Sequence, residues 1–100
     1  HLHIFFYLLF AVQGCLLPPS TKEASIIEER ELKIVTAIQK GKEFTLSGRL
    51  DTAERILREV NSLDPANPII LNDLGYNLHS QLRFREALEF YMRALKIDPT

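Results

Sequence analysis

Laying the chain against itself at an offset of 34 residues aligns five identities: Gly41 with Gly75, Arg49 with Arg83, Ala53 with Ala87, Asp64 with Asp98 and Pro65 with Pro99. Conservative pairs accompany them: Phe84 with Leu50, Leu78 with Phe44 and Ile97 with Leu63. "NSLDP" and "LKIDP" then read as one corner used twice. A fixed period of a few tens of residues marks a stacked array, in which each supersecondary unit buries its apolar face against its neighbour. That constraint makes residues 68–100 a structural copy of residues 34–67, each needing the other to cover its apolar face.

Between the corners, apolar residues recur three and four apart, which is the period of a helix. The spacing predicts helix A1 near 34–47, B1 near 50–62, A2 near 68–81 and B2 near 84–97. Gly48 suits the left-handed position that ends a helix. Asp64 precedes a proline and is pushed out of helical geometry. Asn67 is placed to cap A2, with Pro68 at the first helical position, where a missing N–H matters least. Residues 23–33 also read as helix and extend A1 backwards, with Ser25 and Glu28 resembling a capping box. The stretch "LNDLGYNL" holds one of only four glycines. Gly75 costs about 1 kcal/mol there relative to alanine. Its recurrence at Gly41 points to packing: Gly75 on A2 and Ala87 on B2 would let antiparallel helices approach closely.

Leu71, Leu74-Gly75, Leu78, Ala87, Tyr91, Ala94 and Pro99 together resemble the tetratricopeptide repeat, a 34-residue helix-turn-helix. Leucine stands in place of the family's tryptophan and first tyrosine, and the small and proline positions are kept. The earlier copy departs further, with Lys40 at a leucine position and Val60 at an alanine position. The resemblance covers residues 34–100. It implies an all-α fold of antiparallel helix-turn-helix repeats forming a short right-handed α-solenoid, with repeat 1 at 34–67 and repeat 2 at 68–100. It also implies a concave groove, lined by the A helices, that binds a protein or peptide. By repeat position that groove would present Ile38, Lys42 and Thr45 from A1, and Asn72, Tyr76 and His79 from A2. One subfamily grips acidic chain ends with a lysine, asparagine and arginine clamp. Here Ile38 holds its first lysine place and Asp73 an asparagine place, so that activity is not expected.

The charges fall into two regimes. Twelve basic and 13 acidic residues all lie between Lys22 and Asp98. The near balance, with no clustered basic face, argues against nucleic acid. Residues 1–20 carry no acidic residue, lysine or arginine, and Ile4 to Val12 is an unbroken apolar run. Such a run is shorter than the roughly 20 residues that span a bilayer, and followed by small residues it reads as a signal-type leader. "VQGC" resembles the lipobox of bacterial lipoproteins, which implies a lipid on Cys15, with Gly14 directly before it. An uncleaved membrane anchor and a buried apolar segment with an incidental cysteine are the other readings of the same run. Residues 21–33 are then a linker or a helical extension.

No catalytic constellation stands out, and neither an enzyme nor a cofactor is expected. Cys15 is the only cysteine, which leaves no partner for a disulfide or a cysteine zinc cluster within the chain. His79 is the only histidine in the repeats, and Asp51 with Glu54 and Glu86 with Glu89 read as solvated charge. B2 is apolar on more than one side, through Leu88, Phe90, Tyr91, Met92, Leu95 and Ile97. A lone hairpin cannot bury so much, so self-association through this uncapped helix, or a longer chain than the one given, is expected. The resulting expectation is a lipid-anchored interaction scaffold facing the periplasm, on the outer membrane. It resembles repeat lipoproteins of pilus assembly, including the tight-adherence type, and of secretion. The alternative is a docking domain whose catalytic region lies beyond Thr100.

Overall fold

A computed structural model of the chain describes residues 21–99. They form four helices and no strand: α1 Thr21–Leu46, α2 Leu50–Leu63, α3 Pro68–Ser80 and α4 Phe84–Ile97. The fold is all-α, built as two helix-turn-helix repeats, and the compact unit is Glu31–Thr100. The turns of three and four residues between the helices force consecutive helices to run antiparallel. The leader, with Cys15, lies outside the described residues.

The 34-residue offset is visible in the packing. A Cβ built on Gly41 would stand 2.5 Å from Cδ2 of Leu57, and one built on Gly75 would stand 2.6 Å from Cε1 of Tyr91. Leu57 and Tyr91 are themselves 34 apart, so one knob fills one hole in each repeat. The close approach expected at Gly75 is present, and the side chain that fills it is one the sequence did not single out for that place. Ala87 is buried, but the Tyr91 ring occupies the space the glycine leaves.

The core joins both repeats: Leu57 and Val60 from α2, Ile70, Leu71, Leu74 and Leu78 from α3, and Ala87, Phe90 and Ala94 from α4. Ile34, Ala37, Ile38 and Tyr91 pack against it. α3 is the central element and buries six residues, whereas α1 buries only Gly41 and Thr45. A fully buried leucine stabilises by about 1.5–3 kcal/mol, so α3, with four large apolar side chains in the core, contributes more burial than any other helix and holds the two hairpins together.

The helix ends repeat too. After α1, Arg49 N–H donates to the Phe44 carbonyl (2.8 Å) and Gly48 N–H to Thr45 (3.2 Å). After α3, Arg83 N–H donates to Leu78 (2.9 Å) and Leu82 N–H to His79 (2.9 Å). Both are Schellman closures, which need a left-handed residue just past the helix. Gly48 supplies it with φ 86°, and Leu82 supplies it with φ 64°. The Asn67 cap is present, its side chain accepting from Ile69 N–H at 2.9 Å. The expected capping box is not, because α1 already begins at Thr21 and Ser25 lies inside it.

Candidate functional site

The first helices of the two repeats, α1 and α3, line a cleft of about 210 Å³ made by Lys42, Thr45, Leu46, Asp73 and Tyr76. Three of the six groove residues expected from sequence are thereby brought together: Lys42, Thr45 and Tyr76. Ile38 is half-buried and packs against the core. Asn72 and His79 are exposed and do not line the cleft. The His79 ring meets Phe84 edge-on at 5.1 Å.

The floor of this region is polar and tightly bonded. Thr45 is buried; its hydroxyl donates to the Gly41 carbonyl at 2.8 Å and accepts from Asn77 Nδ2 at 3.1 Å. Asn77, fully buried, donates from the same nitrogen to the Leu50 carbonyl (3.1 Å) and accepts from Gln81 Nε2 (2.8 Å). Gln81 donates onward to Glu54 (2.9 Å). The Thr45 hydroxyl is thus spent inside the protein, and only the rest of its side chain is left for the cleft. An unpaired buried amide costs about 1–3 kcal/mol, so this chain of bonds fixes how α3 sits against α1 and α2.

Glu54 is the hub at the far end. It accepts from Arg58 Nε (2.8 Å) and Arg83 Nη1 (2.8 Å), and Arg83 also grips Glu86 at 2.7 Å. Burial raises the Glu54 pKa, but hydrogen bonds from Gln81 and Arg58 and the charges of Arg83 and Arg58 outweigh it, and the net shift is downward. The expectation of a merely solvated charge at Glu54 is therefore corrected: its side chain is 16% exposed and it bridges the repeats.

Asp73 has the opposite environment. Burial pushes its carboxyl pKa up, and the charge of Lys42 only partly offsets this. Its Oδ2 is shut off from water, with no hydrogen-bond donor reaching it. Leu46 and Asp73 are the cleft residues that sequence reasoning did not assign to the groove. Asp73 carried a usable signal: a carboxylate three residues before Tyr76 on the helix that contributes most to the core.

Among the described residues no group of histidine, cysteine or acidic side chains could hold a metal, and no helix is long and apolar enough to cross a membrane. The cleft presents one apolar wall, one aromatic face, one carboxylate and one ammonium.

Comparison with known proteins agrees with this architecture. Residues 69–100 match the family model described as tetratricopeptide repeat, so a repeat of that family is found across α3 and α4. No curated protein matches the chain. Repeats of this kind are generally non-catalytic modules for protein–protein interaction.

Proposed function

We propose that the chain is a non-catalytic scaffold that binds an extended segment of a protein partner along the cleft between α1 and α3. The observation that carries this reading is the cleft itself. The equivalent helices of two repeats face it, and Tyr76 and Leu46 leave apolar surface open there, 50% and 70% exposed. Large exposed apolar side chains beside a few convergent polar groups are the makings of a recognition surface.

The reading extends to location. The apolar run Ile4–Val12 and the "VQGC" stretch support a lipid on Cys15, which would tether the repeats to the bacterial envelope, facing the periplasm. There the module would recruit components of a pilus or secretion assembly. Several acyl chains on one cysteine anchor stably where a single chain would be marginal.

The outer face of α4 supports a second contact, with another copy of the chain. Leu88, Met92 and Leu95 are exposed and stand 34 residues after Glu54, Arg58 and Asn61. On α2 the first of these positions already bonds Gln81, just beyond α3. On α4 the corresponding stripe is apolar.

The cleft is tested by capture from envelope extract with the full chain, comparing wild type with Leu46→Ala/Tyr76→Ala. A protein retained by the wild type and lost from the double variant supports the cleft as the binding face; equal retention would move the interface elsewhere. The anchor is tested by labelled fatty acid, expected in the wild type and absent from Cys15→Ser. Equal labelling of both, or of neither, would favour an uncleaved anchor.

A further inference from the structure

The cleft contains an unmet demand. Asp73 lines it, and the Oδ2 of that carboxylate has neither water access nor a donor. A buried acceptor left without a donor is costly, and more so when it is charged. Its neighbour on α1, Lys42, is exposed, and its charge offsets only part of the effect of burial on Asp73 without donating a hydrogen bond to Oδ2. The other walls are the Tyr76 ring, the Leu46 side chain and Thr45. Thr45 offers no free donor, because its hydroxyl proton goes to the Gly41 carbonyl.

We infer that the cleft takes an arginine side chain from the bound protein segment, its guanidinium held by Asp73 against the face of Tyr76. This rests on the cleft being the partner-binding face and names the chemistry of what enters it. A guanidinium supplies several N–H donors in a planar fork that matches a carboxylate in pairs, and the charged bonds are the stronger kind. A carboxylate turns easily about its terminal torsion, so both oxygens can meet the fork. The size fits as well. A cavity of about 150 Å³ admits a benzene ring, and a guanidinium is a smaller planar group entering about 210 Å³. The aromatic wall adds attraction of the kind this fold already uses elsewhere. Arg49 lies 4.8 Å from the Phe44 ring centre, and Arg93 lies 5.2 Å from that of Phe90. Lysine would satisfy the charge but neither the paired fork nor the stacking.

The test is an NMR titration of the full chain, ¹⁵N-labelled, with the capped pentapeptide Ala-Ala-Arg-Ala-Ala and its lysine, citrulline and all-alanine counterparts. Citrulline keeps the shape of arginine and loses the charge. The arginine peptide is expected to shift the amides of 42–46 and 73–77, and to bind at least about ten-fold more tightly than the citrulline peptide, as a charge-assisted bond to a desolvated carboxylate requires. Asp73→Asn should bring the two peptides within about two-fold of each other while the spectrum stays that of a folded chain. Equal binding of arginine and citrulline peptides by the wild type overturns the inference, as does an unchanged preference in Asp73→Asn. If the all-alanine peptide shifts the same amides as strongly as the arginine peptide, the arginine assignment fails while the cleft still stands as a peptide-binding face. Shifts confined to residues outside 42–46 and 73–77 count against both.

Discussion

Replacing Gly75 with alanine sets two effects of known sign against each other. Alanine in a helix interior is favoured over glycine by about 1 kcal/mol. Against that, the new Cβ would stand 2.6 Å, 2.7 Å and 2.9 Å from three atoms of the Tyr91 ring. Carbon atoms do not approach so closely, so the ring must turn or α3 and α4 must part. Overpacking of this kind costs about 1–3 kcal/mol. The packing term wins, and Gly75→Ala should lose up to about 2 kcal/mol. The decisive step is the same substitution in a Tyr91→Ala background. That background is itself less stable, because half-buried aromatic surface is removed. With the ring gone, however, only the helix-propensity gain remains, and Gly75→Ala should now stabilise by up to about 1 kcal/mol. Urea titrations of the four proteins, followed by circular dichroism at the helical minimum, give the cycle directly. A reversal of sign is the expected result. Gly75→Ala that destabilises equally in both backgrounds, or stabilises the wild type, would refute the ring-in-hole account of the helix crossing.

Leu82→Gly should raise stability by about 0.5–1 kcal/mol, since a left-handed leucine is strained and this one is largely exposed; Gly48→Ala should lower it by about 1 kcal/mol, and thermal melts compare the two. The lowered pKa of Glu54 means its contribution is present above the ordinary value of 4.5 and is lost as pH falls through the folded value, so Glu54→Gln should flatten the acid limb of a melting-temperature profile. Asp73 has the reverse sign: its raised pKa makes stability fall as pH rises from the ordinary 3.8 through the folded value, and Asp73→Asn should melt higher than wild type at pH 7 but not at pH 3. Leu88→Glu/Met92→Glu should leave the melt unchanged and abolish any concentration-dependent association seen by sedimentation of the full chain.

How far these features were legible in the sequence depends on what recorded them. Gly41 and Gly75, the two "DP" corners and Asn67-Pro68 each act on backbone geometry within a few residues, so the helices and their turns followed to within a residue or two. The exception is the start of α1, where continuous helix from Thr21 left no cap at Ser25. The partner of Gly75 was not legible, because Ala87 and Tyr91 both lie one or two turns along α4 and only the rotation of that helix selects the ring. Glu54 and Asn77 were missed for a related reason. A polar residue looks solvated until the helix that covers it is in place, and the bonds to Gln81 and Thr45 span some 30 residues of chain. The cleft was half legible. Repeat position brought out Lys42, Thr45 and Tyr76, but it put Ile38 on a surface that the core claims and read Asp73 only as a departure from the clamp.

The central claim is that the partner lies in the cleft between α1 and α3, and site-specific photocrosslinking of the full-length protein in living bacteria tests it most directly. A photoreactive amino acid at position 76 should trap a discrete protein adduct, and one at position 46 should trap the same adduct. At position 62, an exposed serine on α2 away from the cleft, it should trap nothing. An adduct as strong from position 62 as from 76, or none from either cleft position, would contradict the account.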